Sequence, residues 1–164
     1  MARQVFYSFH YNEDNWRAAQ VRNIGVVEGN RPAADNDWET VTRGGDAAIK
    51  NWIAAQLSGC SCTVVLVGQN TAGRKWINYE ITESWRAGMG LLGICIHGLA
   101  DRNSVTCKCG STPFSGFSLN GKDLSTIVKL YDPPGMTTSR VYANISNGLA
   151  DWVESAIQIR KRYL

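Results

Sequence analysis

The chain has 164 residues, 44% hydrophobic and 19% charged, which is enough for one domain with a real core and short for two. Its formal charge of +3 is too small to argue for nucleic acid, and the longest basic tract, Arg160 to Arg162, sits where a helix C-terminus favours cations. No apolar stretch approaches the ~18 residues that a membrane-spanning helix needs, and the run Val5 to Phe9 is too short for a secretory leader.

Gln4 to Phe9 alternates and is rich in aromatics, which predicts a first strand. A polar turn, His10 to Asp14, follows, with Asp14 or Asn15 as cap of a helix carrying Trp16, Ala19, Gln20 and Asn23. Ile24 to Val27 reads as a short second strand. Residues 28–37 are rich in Gly, Asn, Pro and Asp, the composition of a loop. Trp38 interrupts that loop, and a large aromatic there either plugs the core rim or lines a pocket. Gly44, Gly45 and Asp46 open a helix, with Asp46 as N-cap and Ala47, Ile49, Ile53, Ala54 and Leu57 on its buried face.

Cys62 to Val67 is an apolar strand ending at Gly68, and a polar loop, Gln69 to Gly73, leads into a helix over 74–87. Ile77, Ile81 and Trp85 form that helix's apolar stripe at i, i+4 and i+8. Leu91 to His97 makes a fourth strand. Strands alternating with helices imply a parallel sheet covered by helices on both faces. From Gly98 to about residue 125 the pattern breaks into an irregular insertion, and a loop of that length is usually functional or mobile. Ile127 to Tyr131 reads as an edge strand closed off by Pro133 and Pro134. A last helix over 147–160 carries the stripe Leu149, Trp152, Val153, Ala156 and Ile157. No composition shift marks a linker, so residues 1–164 are read as one domain.

Several motifs fail on their own chemistry. Gly88, Gly90 and Gly93 fit the G-x-G-x-x-G pattern, but that motif needs a strand before it and a helix after. Here the order is reversed, so the glycines are expected to make a helix C-cap and an αβ turn. The pairs Cys60/Cys62 and Cys107/Cys109 suggest a four-thiolate metal site, yet C-x-C spacing is less typical than C-x-x-C and Cys62 belongs to a buried strand. No metal site is expected. The five cysteines, an odd number, fit free thiols in a reducing cytoplasm.

Glu80 stands apart. A lone helix glutamate is ordinarily solvated, but this one has Trp76 one turn before it, on the flank of the apolar stripe. It also follows a strand-end loop, and the aromatic strand end Phe6 to Tyr11 is expected to face it. Such a setting raises a carboxyl's pKa and fixes its orientation.

Two segments together resemble a known family. Val5 to Tyr11, with its aromatics followed by Ser8, Phe9 and His10, and then Arg74-x-Trp76-x-x-Tyr79-Glu80-Ile81 are similar to a TIR domain. In particular they resemble the TIR-like ThsB proteins of bacterial Thoeris anti-phage defence. The resemblance covers about residues 3–97 and, weakly, the last helix. It implies a flavodoxin-like parallel sheet and cleavage of the nicotinamide–ribose bond of NAD, taken as substrate and not as a cofactor. The product it implies is an ADP-ribose-derived, in some members cyclic, signalling nucleotide that switches on a downstream effector. By motif position Glu80 matches the family's catalytic glutamate and Trp76 the tryptophan before it. Ser8, Phe9 and His10 match the strand end bordering the nucleotide, and Trp38 and Asp46 fall in the variable loop and the next helix. His10 stands where many TIR domains have arginine. Self-association is expected, and neither nucleic acid nor a membrane is an expected partner. The rival reading is a non-enzymatic TIR adaptor that works by self-association or protein binding.

Overall fold

Two six-residue runs with every residue out of water, β3 (Cys62–Val67) and β4 (Gly90–Cys95), form the centre of the fold. They are seen in a computed structural model that describes residues 3–29, 41–119 and 121–163. Strands covered on both faces have the near-continuous apolar composition of a parallel sheet. β3 and β4 pair in parallel from Cys62 opposite Gly90 to Val67 opposite Cys95. β1 (Gln4–Phe9) runs parallel along the other side of β3, with Ser8 opposite Val65.

Two-residue strands close the sheet: β2 (Glu28–Gly29) beside β1 and β7 (Leu130–Tyr131) beside β4. The order β2-β1-β3-β4-β7 is the flavodoxin-like one, whose winding reverses between β1 and β3. A separate antiparallel pair, β5 (Ser118–Leu119) and β6 (Lys122–Asp123), lies within the insertion.

Alternation along each strand sorts the helices onto two faces. Val5, Tyr7, Val64, Leu66, Leu92 and Ile94 meet α1 (Tyr11–Arg22) and α4 (Thr138–Lys161). On the other face Val65, Val67 and Leu91 meet Ile77, Ile81 and Trp85 of α3 (Lys75–Arg86). Phe6 packs there too, against Ile49, Ile53 and Leu57 of α2 (Asp46–Leu57). Arg160, from the basic tract, is buried: its guanidinium stacks 4.3 Å from the Trp85 ring and donates to the Trp85 carbonyl. It joins the last turns of α3 and α4 and is not offered to a polyanion.

The expected architecture holds, while several boundaries move for identifiable reasons. α1 begins at Tyr11 with His10 as N-cap, so neither Asp14 nor Asn15 caps it. Asp14 lies inside the helix, buried and paired at 3.0 Å with buried Arg17. A charged pair on the core face conceals the apolar period. The second strand is Glu28–Gly29 and not 24–27, because Gly25 turns with a φ of 80°.

Gly45, at a φ of 83°, occupies the N-cap of α2 expected for Asp46. Ala47 and Ala54 face solvent, leaving Ile49, Ile53 and Leu57 as the buried face. Of the three glycines 88, 90 and 93, only Gly88 serves the turn, with a φ of 78°. Gly90 and Gly93 lie in β4, where an added Cβ would meet the Ile157 backbone or the Leu130 and Phe114 side chains. The edge strand shortens to Leu130–Tyr131 behind a 3-10 turn, Leu124–Thr126.

α4 starts at Thr138, well before 147, since the Thr137 side chain caps it by accepting from the Arg140 N–H. Val141 and Ile145 extend the buried stripe of Leu149 and Val153. Leu149 is fully buried between α4 and the sheet. Leu149→Ala is expected to cost about 2–5 kcal/mol in denaturant unfolding; a loss under about 1 kcal/mol would mean that α4 is not docked as described.

Candidate active site

A reversal of winding leaves a crevice beyond the carboxyl ends of the two strands on either side of it. Here the crevice is a cleft of about 530 Å³. Phe9 to Asn12 wall it from the end of β1, Gln69 and Asn70 from the end of β3. The first turns of α3 contribute Arg74, Lys75, Trp76, Ile77 and Glu80, and Ser111 reaches in from the insertion.

Glu80 is the chemically unusual group. It is only 8% exposed, and the Ser8 hydroxyl donates to its Oε2. Burial pushes its carboxyl up to about 8, with the Ser8 hydrogen bond pulling the other way. Its placement follows from the fold. Phe6 and Ser8 point to the α2/α3 face of β1, while Val5 and Tyr7 point to the opposite face. Ile77, Ile81 and Trp85 hold α3 against that same side of the sheet.

A second polar chain fixes the same turn of α3. Ser84 Oγ donates to the Glu80 carbonyl at 2.6 Å and lies 2.7 Å from Thr63 Oγ1 on β3. Since the one Ser84 proton is committed, Thr63 is the donor in the second contact. Backbone and side chain of Glu80 are thus tied to two neighbouring strands.

Around this carboxyl the cleft is aromatic and cationic. Trp76 is half-buried, edge-on to Tyr79 with 5.7 Å between centroids, and Lys75 Nζ sits 4.8 Å above its ring. Lys75 is also held by Asp46 at 2.6 Å, an exposed pair that draws the Asp46 carboxyl below its ordinary value. His10 is buried at the cleft wall, its pKa lowered first by burial and then by Arg74, so its ring is neutral near neutral pH.

Of the residues singled out from sequence, Phe9, His10, Trp76 and Glu80 converge on the cleft. Ser8 is close but lies behind Glu80, fully buried and outside the lining. It touches the carboxyl instead of the space where a ligand would sit. Asp46 is exposed and does not line the cleft, reaching it only through Lys75. Trp38 lies outside the described residues.

Sequence reasoning passed over Arg74, Lys75 and Ser111. The first two carried a signal: cations at a helix N-terminus oppose the macrodipole and imply an anion nearby. Ser111 carried none, because nothing periodic in the insertion says where it folds back. The two C-x-C pairs do not converge either. Cys62 is buried in the core, Cys60 donates to the Gln56 carbonyl, and neither joins a cluster of potential ligands among the described residues. His10, Glu13 and Asp14 do cluster, but Asp14 is already neutralised by Arg17.

Comparison with known proteins agrees with this fold. Residues 6–101 match the family model described as "Thoeris protein ThsB, TIR-like domain". Over 133 residues the chain is 35% identical to a curated protein of Bacillus cereus (strain MSX-D12), named "Putative cyclic ADP-D-ribose synthase ThsB1". That alignment covers 76% of this chain and 69% of the relative. The match runs from Phe6, within β1, past the end of β4, and so includes both strand ends and the helix that wall the cleft. With its parallel sheet in flavodoxin-like order, the chain belongs to the TIR-like ThsB family of Thoeris proteins.

Proposed function

We propose that this chain consumes NAD, breaking the nicotinamide–ribose bond and releasing an ADP-ribose-derived signalling nucleotide, with Glu80 as the essential carboxylate. The reading rests on one observation above all: a buried carboxyl, oriented by Ser8, at the wall of a cleft lined by an indole and two cations. The Bacillus cereus relative, named a "Putative cyclic ADP-D-ribose synthase", supports the substrate class.

The chemistry suits a single acid. Most glycosidases need a second carboxyl to protonate the leaving oxygen. Nicotinamide departs from a cationic ring as a neutral molecule, taking the C1′–N1 electron pair, so no proton donor is required. What the reaction needs is negative charge beside the ribosyl oxocarbenium ion that remains, and ionised Glu80 supplies it. Trp76 offers a flat wall for a ring to stack on. Arg74 and Lys75, at the α3 N-terminus, suit the pyrophosphate.

The cation at C1′ is then captured by water, giving ADP-ribose, or by a nucleophile of the same nucleotide, giving a ring. Ring closure requires water to be kept out. Ser111, which lines the cleft, brings the insertion close enough to serve as that cover. The product acts on a separate effector in the cytoplasm, and self-association completes the active form. No described helix is long and apolar enough to cross a membrane.

Incubation with NAD and chromatography of released nicotinamide test the assignment. Glu80→Gln should lose at least about a hundredfold in turnover, with an unchanged circular dichroism spectrum; turnover at the wild-type level would end the proposal. Arg74→Ala and Lys75→Ala should act mainly on KM, since they hold the non-reacting part of the substrate.

The raised Glu80 pKa also fixes a pH dependence. In the free enzyme kcat/KM should rise with pH and level off above about 8, where the carboxyl ionises. Stability runs the other way. Between 4.5 and about 8 the folded state holds a proton that the unfolded chain releases, so stability falls across that window. Glu80→Gln should remove this fall, so the variant gains stability relative to wild type as pH rises from 4.5 to about 8. Thermal melts of both proteins across the window check the sign, and parallel curves would refute it.

A further inference from the structure

Cys95, His97, Cys109 and Asp132 bring one potential ligand atom each to a point at the carboxyl edge of the sheet, outside the lining of the Glu80 cleft. Their donor atoms all lie within 4.8 Å of one another. Three separate segments supply them. Cys95 ends β4, His97 follows two residues later, Cys109 comes from the insertion, and Asp132 directly follows β7. His97 Nε2 and Asp132 Oδ1 are already 3.1 Å apart. The insertion is registered against this edge by its backbone, the Cys107 N–H donating to the His97 carbonyl at 3.0 Å.

We propose that these four side chains bind one divalent cation of the zinc class. Two sulfurs, an imidazole nitrogen and a carboxylate oxygen are a borderline-soft set, four in number, suited to a closed tetrahedral site. Bonds of about 2.0–2.3 Å put tetrahedral donors about 3.3–3.8 Å apart. The His97–Asp132 pair, at 3.1 Å, is slightly inside that range and need only open a little, and no pair need close by more than about 1–1.5 Å. Binding exchanges the two thiol protons for the dication, with no change of oxidation state.

The set differs from the four cysteines that sequence spacing suggests. Only Cys109 is common to both, and Cys95, His97 and Asp132 join it through the pairing of β4 with β7.

The consequence is positional. Gly110, next to Cys109, lies so close to Gly68 that an added Cβ would strike the Gly68 carbonyl oxygen. Ser111, one residue further, lines the cleft. A metal at Cys109 therefore pins the insertion where it covers the cleft, and serves structure instead of reacting with substrate. A Cys95–Cys109 disulfide is the competing use of the two thiols. It would use the two thiols alone and leave His97 and Asp132 as a hydrogen-bonded pair.

Metal analysis by mass spectrometry decides between them without reference to turnover. Full-length protein purified under reducing conditions and desalted should carry about one zinc per chain. Cys109→Ser and Asp132→Asn, both at exposed positions, should lose most of it, while Cys60→Ser keeps it. Replacing zinc by cobalt(II) should give the visible spectrum of a tetrahedral thiolate site, absent in Cys109→Ser. Circular dichroism shows that the variants fold. A wild type holding no more metal than folded Cys109→Ser would overturn the proposal, as would a Cys95–Cys109 disulfide found as the resting state under the same conditions.

Discussion

Removing a carboxyl group from water destabilises its charged form unless a cation or several hydrogen bonds replace the lost hydration. Glu80 receives little of either. Among the described residues its side chain has the Ser8 hydroxyl and no cation paired with it. The fold holds it there all the same, through the β1–β3 register that sets Ser8 opposite Val65 and the three apolar anchors of α3. An acid in this position interacts most favourably with positive charge that arrives from outside. In the proposed reaction that charge is the ribosyl cation, and the shortage of internal partners becomes the source of catalysis.

The cleft's own cations are kept at a distance from this acid. Arg74 and Lys75 stand at the N-terminus of α3, more than a turn before Glu80. Lys75 is partly engaged by Asp46 and by the Trp76 ring. A dinucleotide lying along α3 would place its phosphates over these cations and its reacting ribose over the carboxylate. Such an arrangement would separate binding from chemistry along one helix, so phosphate recognition need not lower the pKa of Glu80.

How far the sequence could be read depended on whether burial followed hydrophobicity. β3, α3 and the alternation of β1 are legible because their buried positions are apolar or aromatic at the correct period. α1 is less so, since Asp14 and Arg17 occupy its core face and Arg17 spends its hydrogens on Asp14 and on the carbonyls of Leu99 and Val105. α4 lost its first turns because Asn144, Asn147 and Gly148 are weak helix formers, overridden by packing of Val141 and Ile145. Within the site, the pairing of Trp76 with Glu80 marked the helix, but the Ser8 contact depends on strand register, which no local pattern states. The ligand cluster at Cys95 lay further out of reach, because it joins β4 to a strand only two residues long.

That short strand has another effect. Tyr131 stacks on Trp152 at 4.4 Å, and two residues beyond it come Pro133 and Pro134, which have no backbone N–H to offer. A sheet margin of this kind gives an incoming chain almost nothing to zip against. Copies of the protein that come together gain almost nothing by lengthening the sheet past β7, so on that side any contact falls to helices or loops.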